Sequence, residues 1–225
     1  MSSLKEIKTR IASVKNTLKI TAAMKMVASA KLHKAQTAIG NKLPYEQQLH
    51  RMLAGLLQSE DLRESLGKEL GLSSRNGKSP VVLQDVDMDV LPYKKDAERV
   101  ALVVFSSNSS LCGAFNANVI RKFNETVSRL REHGYDLKDI DVFAVGKKAA
   151  DAAVKAGFQL DEDFTDLADK PSYDRAVDLA SELIDRFSDG EVEQVIFIYS
   201  HMASTSSQPV IRENYLPLAL HDYAS

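Results

Sequence analysis

At 225 residues, with 44% hydrophobic and 27% charged side chains, the chain is long enough for one globular domain with an extra element or for two small domains, and this makeup excludes intrinsic disorder. A single cysteine, Cys112, excludes a disulfide framework and points to a reducing compartment, while the longest apolar runs, "VALVVF" and "VIFIY", are far short of a membrane span. The net charge of −2 is unevenly placed: residues 1–38 hold eight cations against one anion, +7, which leaves −9 for the rest and predicts a basic arm that meets something acidic.

Residues 1–58 read as one long helix. Leu4, Ile7, Ile11, Val14 and Leu18 step by three and four, the spacing of a coiled-coil seam. The register continues through Thr21, Lys25, Ala28, Leu32, Ala35 and Ile39, with a second stripe of Ile20, Met24 and Val27 beside it. Ser2 or Ser3 with Glu6 suits a capping box. The helix is expected to run to about Asn41 and to kink or end at Pro44, after which "YEQQLHRMLAGLLQ" resumes a helical pattern. Some 55 helical residues would reach about 80 Å, longer than a small domain is wide, so part of the helix should project.

Residues 59–98 are rich in Gly, Ser and Asp and read as a linker or insertion, with a short helix at 60–70 and an irregular stretch over 71–98. Residues 99–225 form the second domain. "RVALVVFSS" is a strand of the continuous apolar kind, followed by a helix over 114–133 with Phe115, Val119, Phe123, Val127 and Leu130 on one side. "DVFAVG" is a second strand and "KKAADAAVKAG" a helix ended by Gly157. "SYDRAVDLASELIDRFSDG" is a third helix, "QVIFIYS" a third buried strand, and "PVIRENYLPL" suits an edge strand. The alternation predicts an α/β fold with a Rossmann-like, largely parallel sheet, beside a long N-terminal coiled-coil helix.

The residues assemble no catalytic site. "SSNSSLCG" stands where a nucleotide loop would, but has only Gly113, and "VGKKA" lacks the upstream glycine and the Ser/Thr of a P-loop. A strand-to-helix turn held by hydroxyl caps is the better reading. Cys112 has no histidine (33, 50, 133, 201, 221) placed beside it as a base, and reads as a small half-buried side chain. Asp85, Asp87 and Asp89 lack the Gly and the closing Glu of a calcium loop and read as a solvent-facing edge. No catalytic, cofactor or metal residues are expected. The basic helix can serve nucleic acid, a membrane surface or another helix. One Arg and no aromatic over residues 4–39 weigh against nucleic acid, and Ala-Met-Val weighs against a membrane surface, so helix pairing is favoured. On these residues alone, an adaptor with a coiled-coil arm and a small nucleotide-using enzyme stay open as alternatives.

The segment "LKEIKTRIASVKNTLKITAAMKMVASAKLHKAQ" closely resembles the amino-terminal helix of the gamma subunit of F-type ATP synthases, and "SSLCGAFN" after a buried strand resembles that family's second landmark. The resemblance implies a central-stalk rotor subunit with no active site of its own. It would couple rotation of the membrane ring, driven by protons, to the conformational cycling of the catalytic subunits. It implies as partners the alpha and beta subunits, the epsilon subunit and the membrane c-ring, with no nucleic acid and no direct membrane insertion, on the cytoplasmic face of the bacterial inner membrane. By match to the motif, Met24, Lys25, Val27 and Lys31 fall where the family's shaft meets the ring, and Lys42 and Tyr45 near the foot. Packing against a partner helix accounts for Met24 and Val27 equally well. The family's landmark usually reads Ser-Asp-Arg-Gly-Leu-Cys-Gly. Here Ser107, Asn108, Ser109 and Ser110 precede Leu111, Cys112 and Gly113, so a charged pair is missing. The family continues past the position of Ser225 into a carboxy-terminal shaft helix that pairs with the first. The expectation is that this helix is lacking and that the Leu4-to-Ile39 seam has no intrachain partner.

Overall fold

The computed structural model describes residues 3–57, 81–82, 91–92, 99–204 and 206–219. The chain divides into two compact units, Met1–Gln58 and Ser59–Ser225. The expected helix at 60–70, the Asp85–Asp89 stretch and most of the 71–98 segment lie outside the described residues.

The first unit is one helix, α1 (Leu4–Leu57). Its first turn is closed by the Ser3 carbonyl, which accepts from the N–H groups of Glu6 (2.9 Å) and Ile7 (3.2 Å). Ala, Lys, Leu and Met are strong helix formers and carry the helix outward. Thr9, Thr17, Thr21 and Thr37 each turn the hydroxyl back to donate to the carbonyl four residues before. Their polar groups are thereby engaged locally and ask nothing of a partner. Pro44 does not end the helix, contrary to the local signal, but lies inside it. Proline removes the N–H that would bond the Gly40 carbonyl and crowds that carbonyl, at about 3 kcal/mol in a helix interior. Gly40 has nothing within 4 Å of where a side chain would start, so its peptide can lean into solvent while the turns on either side hold.

The second unit is built on a four-stranded sheet. β1 (Val81–Val82) stands apart from it, paired in parallel with β6 (Leu218–Ala219). β2 (Val100–Phe105), β3 (Ile140–Val145) and β4 (Gln194–Ser200) are parallel, with β2 central: Val100 faces Ile140 on one side and Gln194 on the other. β5 (Val210–Leu216) completes the order β3-β2-β4-β5 as an antiparallel edge strand.

Three helices cover the sheet: α2 (Phe115–Glu132), α3 (Lys147–Lys155) and α4 (Tyr173–Ser188). The apolar run of β2 follows from burial on both faces. Val100, Leu102 and Val104 join Val119, Phe123 and Leu130 of α2 and Ala149 and Ala153 of α3 in one core. Ala101 and Val103 point the other way, into a second core with Leu179, Leu183 and Phe187 of α4 and with Phe164. At about 25 cal/mol per Å² of apolar surface, each fully buried Leu or Phe contributes about 1.5–3 kcal/mol, and these two layers hold the unit together.

Candidate functional site

The sheet positions a loop, residues 106–114, at the carboxyl ends of its parallel strands, where open α/β sheets take ligands. In this chain the loop is tied to its own scaffold. The Ser106 N–H donates to the Val145 carbonyl (2.7 Å), and Ser106 Oγ accepts from the Ala149 N–H (2.7 Å). Asn108 Oδ1 accepts from the Lys147 N–H (2.7 Å), and the Ser107 carbonyl accepts from the Lys148 N–H (3.3 Å). The first-turn amides of α3, which in a phosphate site would face the ligand, are thus spent on the loop. Gly146 makes the close approach possible: with φ +104°, an added Cβ would stand 2.3 Å from the Ser106 carbonyl oxygen.

Two asparagines knit the rest. Asn116, buried on α2, accepts from the Ser107 N–H (3.0 Å) and donates to the Ser109 carbonyl (2.8 Å) and to Cys112 Sγ (3.0 Å). Asn108 Nδ2 donates to the Thr165 carbonyl (3.0 Å) and to Asp169 Oδ2 (2.7 Å). The sequence marked Asn108 only as a departure from the landmark and did not mark Asn116; Asn108's partners Thr165 and Asp169 lie 57 and 61 residues away. Among the described residues no group of three or more His, Cys, Asp or Glu is placed to hold a metal.

The second candidate is α1. Leu4, Val14 and Leu18 are 72%, 65% and 67% exposed, and Ile7 and Ile11 are exposed as well. In an ideal helix each residue turns about 100°, so Leu4, Ile7, Ile11, Val14 and Leu18 share an arc of about 80°. Met24, Val27, Lys31, Lys42 and Tyr45 fall in another arc of about 60°, whose centre lies about 150° from the first. All five are exposed. Lys25 is not among them: it falls within the seam arc, so helix geometry separates it from the residues grouped with it by motif. The helix presents two faces, one aliphatic and one of Met, Val, Lys and Tyr. Among the described residues no helix is long and apolar enough to cross a membrane.

A family model described as ATP synthase matches residues 3–224. The ATP synthase gamma chain of Bacteroides thetaiotaomicron is 46% identical over 98% of this chain and 65% of its own length. That of Bacteroides fragilis strain ATCC 25285 is 47% identical over 98% of this chain and 67% of its own length. The chain belongs to the ATP synthase gamma chain family.

It spans about two thirds of the length of the curated gamma chains it matches. Its structure is also similar to the central stalk and c-ring of the Tetrahymena thermophila mitochondrial ATP synthase, at 21% identity and a TM-score of 0.40, covering 80% of this chain and 77% of that one. Against the family's usual landmark, the place of a charged pair is taken by Asn108 and Ser109. The Asn108 amide accepts from one segment and donates to another, which a carboxylate cannot do. The loop is therefore a hydrogen-bonded joint between β2, α3 and the 163–169 segment.

Proposed function

We propose that the chain serves as the central-stalk rotor element of a proton-translocating F-type ATP synthase and is itself non-catalytic. In this reading α1 is one strand of a two-stranded axle inside the ring of alpha and beta subunits. The α/β unit forms the foot, beside the epsilon subunit and the c-ring, at the cytoplasmic face of the bacterial inner membrane.

The observation that carries the reading is the two-faced helix. An aliphatic seam on one side suits a partner helix. The opposite face, with Met24, Val27, Lys31, Lys42 and Tyr45, suits neighbours that change as the axle turns. Methionine fits differently shaped surfaces at little cost, and lysine attracts carboxylates without the fixed fork geometry of arginine. Attraction of this kind falls off over about 8 Å at physiological salt, so it favours many orientations of the axle almost equally. Rotation of the foot would then change which alpha and beta surfaces α1 touches, and so which catalytic sites stand open.

Co-expression with the alpha and beta subunits of the Bacteroides thetaiotaomicron enzyme tests this. The expected product is a complex holding one copy of the chain per alpha–beta ring, by native mass spectrometry. Alpha–beta rings that assemble and exclude the chain would overturn the proposal.

A further inference from the structure

The α/β unit carries a further surface, apart from the loop at 106–114. Between α4 and the carboxyl ends of β2 and β4 lies a cavity of about 370 Å³, walled by Phe105, Leu167, Ala176, Ala180, Phe197 and Tyr215. No charged residue lines it. Its far wall is an aromatic cluster: Phe197 stacks on Tyr215 at 4.2 Å, and Phe105 meets Phe197 edge-on at 5.4 Å.

The cavity does not stand alone. On α4, Tyr173, Val177, Ala180 and Ile184 fall within an arc of about 60°, next to the arc of Leu179, Leu183 and Phe187 that faces the core. Tyr173 is 82% exposed, and Val177 and Ile184 are 40% exposed. An apolar strip therefore runs the length of α4 along the cavity's rim. Asp174, Asp178 and Asp185 form the next arc of the same helix. They belong to the most acidic part of the chain: residues 161–191 hold eleven carboxylates against three cations, −8 in all.

We propose that this surface docks a basic amphipathic helix of a partner protein. Its apolar side chains would lie on the Tyr173–Ile184 strip with one entering the cavity, and its cations would meet Asp174 and Asp185 and share Asp178 with Arg175, which already pairs with it at 3.2 Å. Charge selects this occupant. An acidic or neutral helix would gain the apolar contacts but lose the attraction of the acidic ridge, and the α3 amides that might hold an anion are already engaged. The strip spans 12 residues of α4, about 18 Å, enough for three turns of a partner.

The chain contains no tryptophan, so a Trp-bearing peptide reports its own burial without background. The probe is a synthetic Leu/Lys helix with one Trp on its apolar face, titrated into the full chain and followed by Trp emission. Saturable binding with a blue shift is expected. It should weaken by about tenfold or more in Ile184→Lys and in the double variant Asp178→Lys/Asp185→Lys, with thermal melts confirming that each variant folds. Ile11→Lys on α1 should leave it unchanged. The same peptide with Glu for Lys should show no binding that the α4 variants alter, since any hold it has on the basic α1 is independent of them. The proposal is overturned if the Leu/Lys peptide does not bind, if the α4 variants bind it as the parent does, if Ile11→Lys removes binding, or if the Leu/Glu peptide binds as tightly and is weakened by Ile184→Lys.

Discussion

Replacing Asn108 by Asp, the residue usual at this point of the family's landmark, should destabilise this chain. The Asn108 amide donates to the Thr165 carbonyl and to Asp169 Oδ2 while accepting from the Lys147 N–H. An aspartate keeps the last bond and strengthens it, because a charged acceptor binds an N–H more tightly. It loses both donated bonds, worth about 0.5–1.5 kcal/mol each, and sets a second carboxylate within hydrogen-bond distance of Asp169. The net cost should be about 1–3 kcal/mol. For a unit of this size that lowers the melting temperature by roughly 2–12 °C. The carboxylate pair also makes the cost depend on pH. One member is pushed to a higher pKa in the folded state than in the unfolded chain, so it binds its proton more tightly when folded. Lowering the pH through the carboxylate range should therefore recover part of the loss. Urea unfolding of Asn108→Asp, Asp169→Asn and the double variant at two pH values closes the cycle. The double variant, with an amide donor restored at 169, should be more stable than the sum of the single effects by at least about 0.5 kcal/mol. Additive effects, or an Asn108→Asp chain as stable as the parent at neutral pH, would refute the reasoning.

Gly146→Ala should be worse than a usual surface change. The added methyl would meet the Ser106 carbonyl at 2.3 Å in a backbone with φ +104°, and a loss of about 3 kcal/mol or more is expected in the same unfolding assay. Tyr199 is pushed up to about 12 by burial, first, and by its hydrogen bond to Glu213. A phenol raised in the folded state stabilises fully below its unfolded pKa of about 10 and loses that contribution as the pH climbs through the folded value; Tyr215 is raised by burial as well, so spectrophotometric titration should find late-titrating tyrosines, of which the Tyr199 midpoint falls in Glu213→Gln. Lys31→Glu paired with Met24→Glu should weaken capture by the alpha–beta ring by about tenfold or more at low salt, without moving the melting temperature of the α/β unit, as measured by surface plasmon resonance over a salt series.

The α/β unit was legible because its signals are local and repeated. "VALVVF" and "QVIFIYS" carry β-branched residues on both faces, which only a sandwiched strand needs, and the three- and four-step spacing of Val119, Phe123 and Val127 marks a helix face on its own. The edge position of β5 was legible too, since "PVIRENYL" mixes polar with apolar residues and opens on a proline. The α1 helix was legible in kind and in extent, since residues 1–58 read as one helix and Leu4–Leu57 form it; only an ending at Pro44 is not seen. Pro44 is a local stop signal, and whether the turns beyond it hold is decided by hydrogen bonds on both sides. Lys25 shows a different limit. Counting by threes and fours already set it in the seam register, and only the motif match grouped it with Met24 and Val27, whose arc lies on another face of the built helix. The asparagine joint was invisible, because Asn108 meets Thr165 and Asp169 only after the sheet has formed.

The central claim is that α1 turns one face to a partner helix and the opposite face to the ring. Placing a photo-crosslinking amino acid at Met24 in one preparation and at Val14 in another, each assembled with the alpha and beta subunits, reads this directly. The account predicts adducts with the ring subunits from position 24 and few or none from position 14. Equal labelling of the ring from both positions would contradict it.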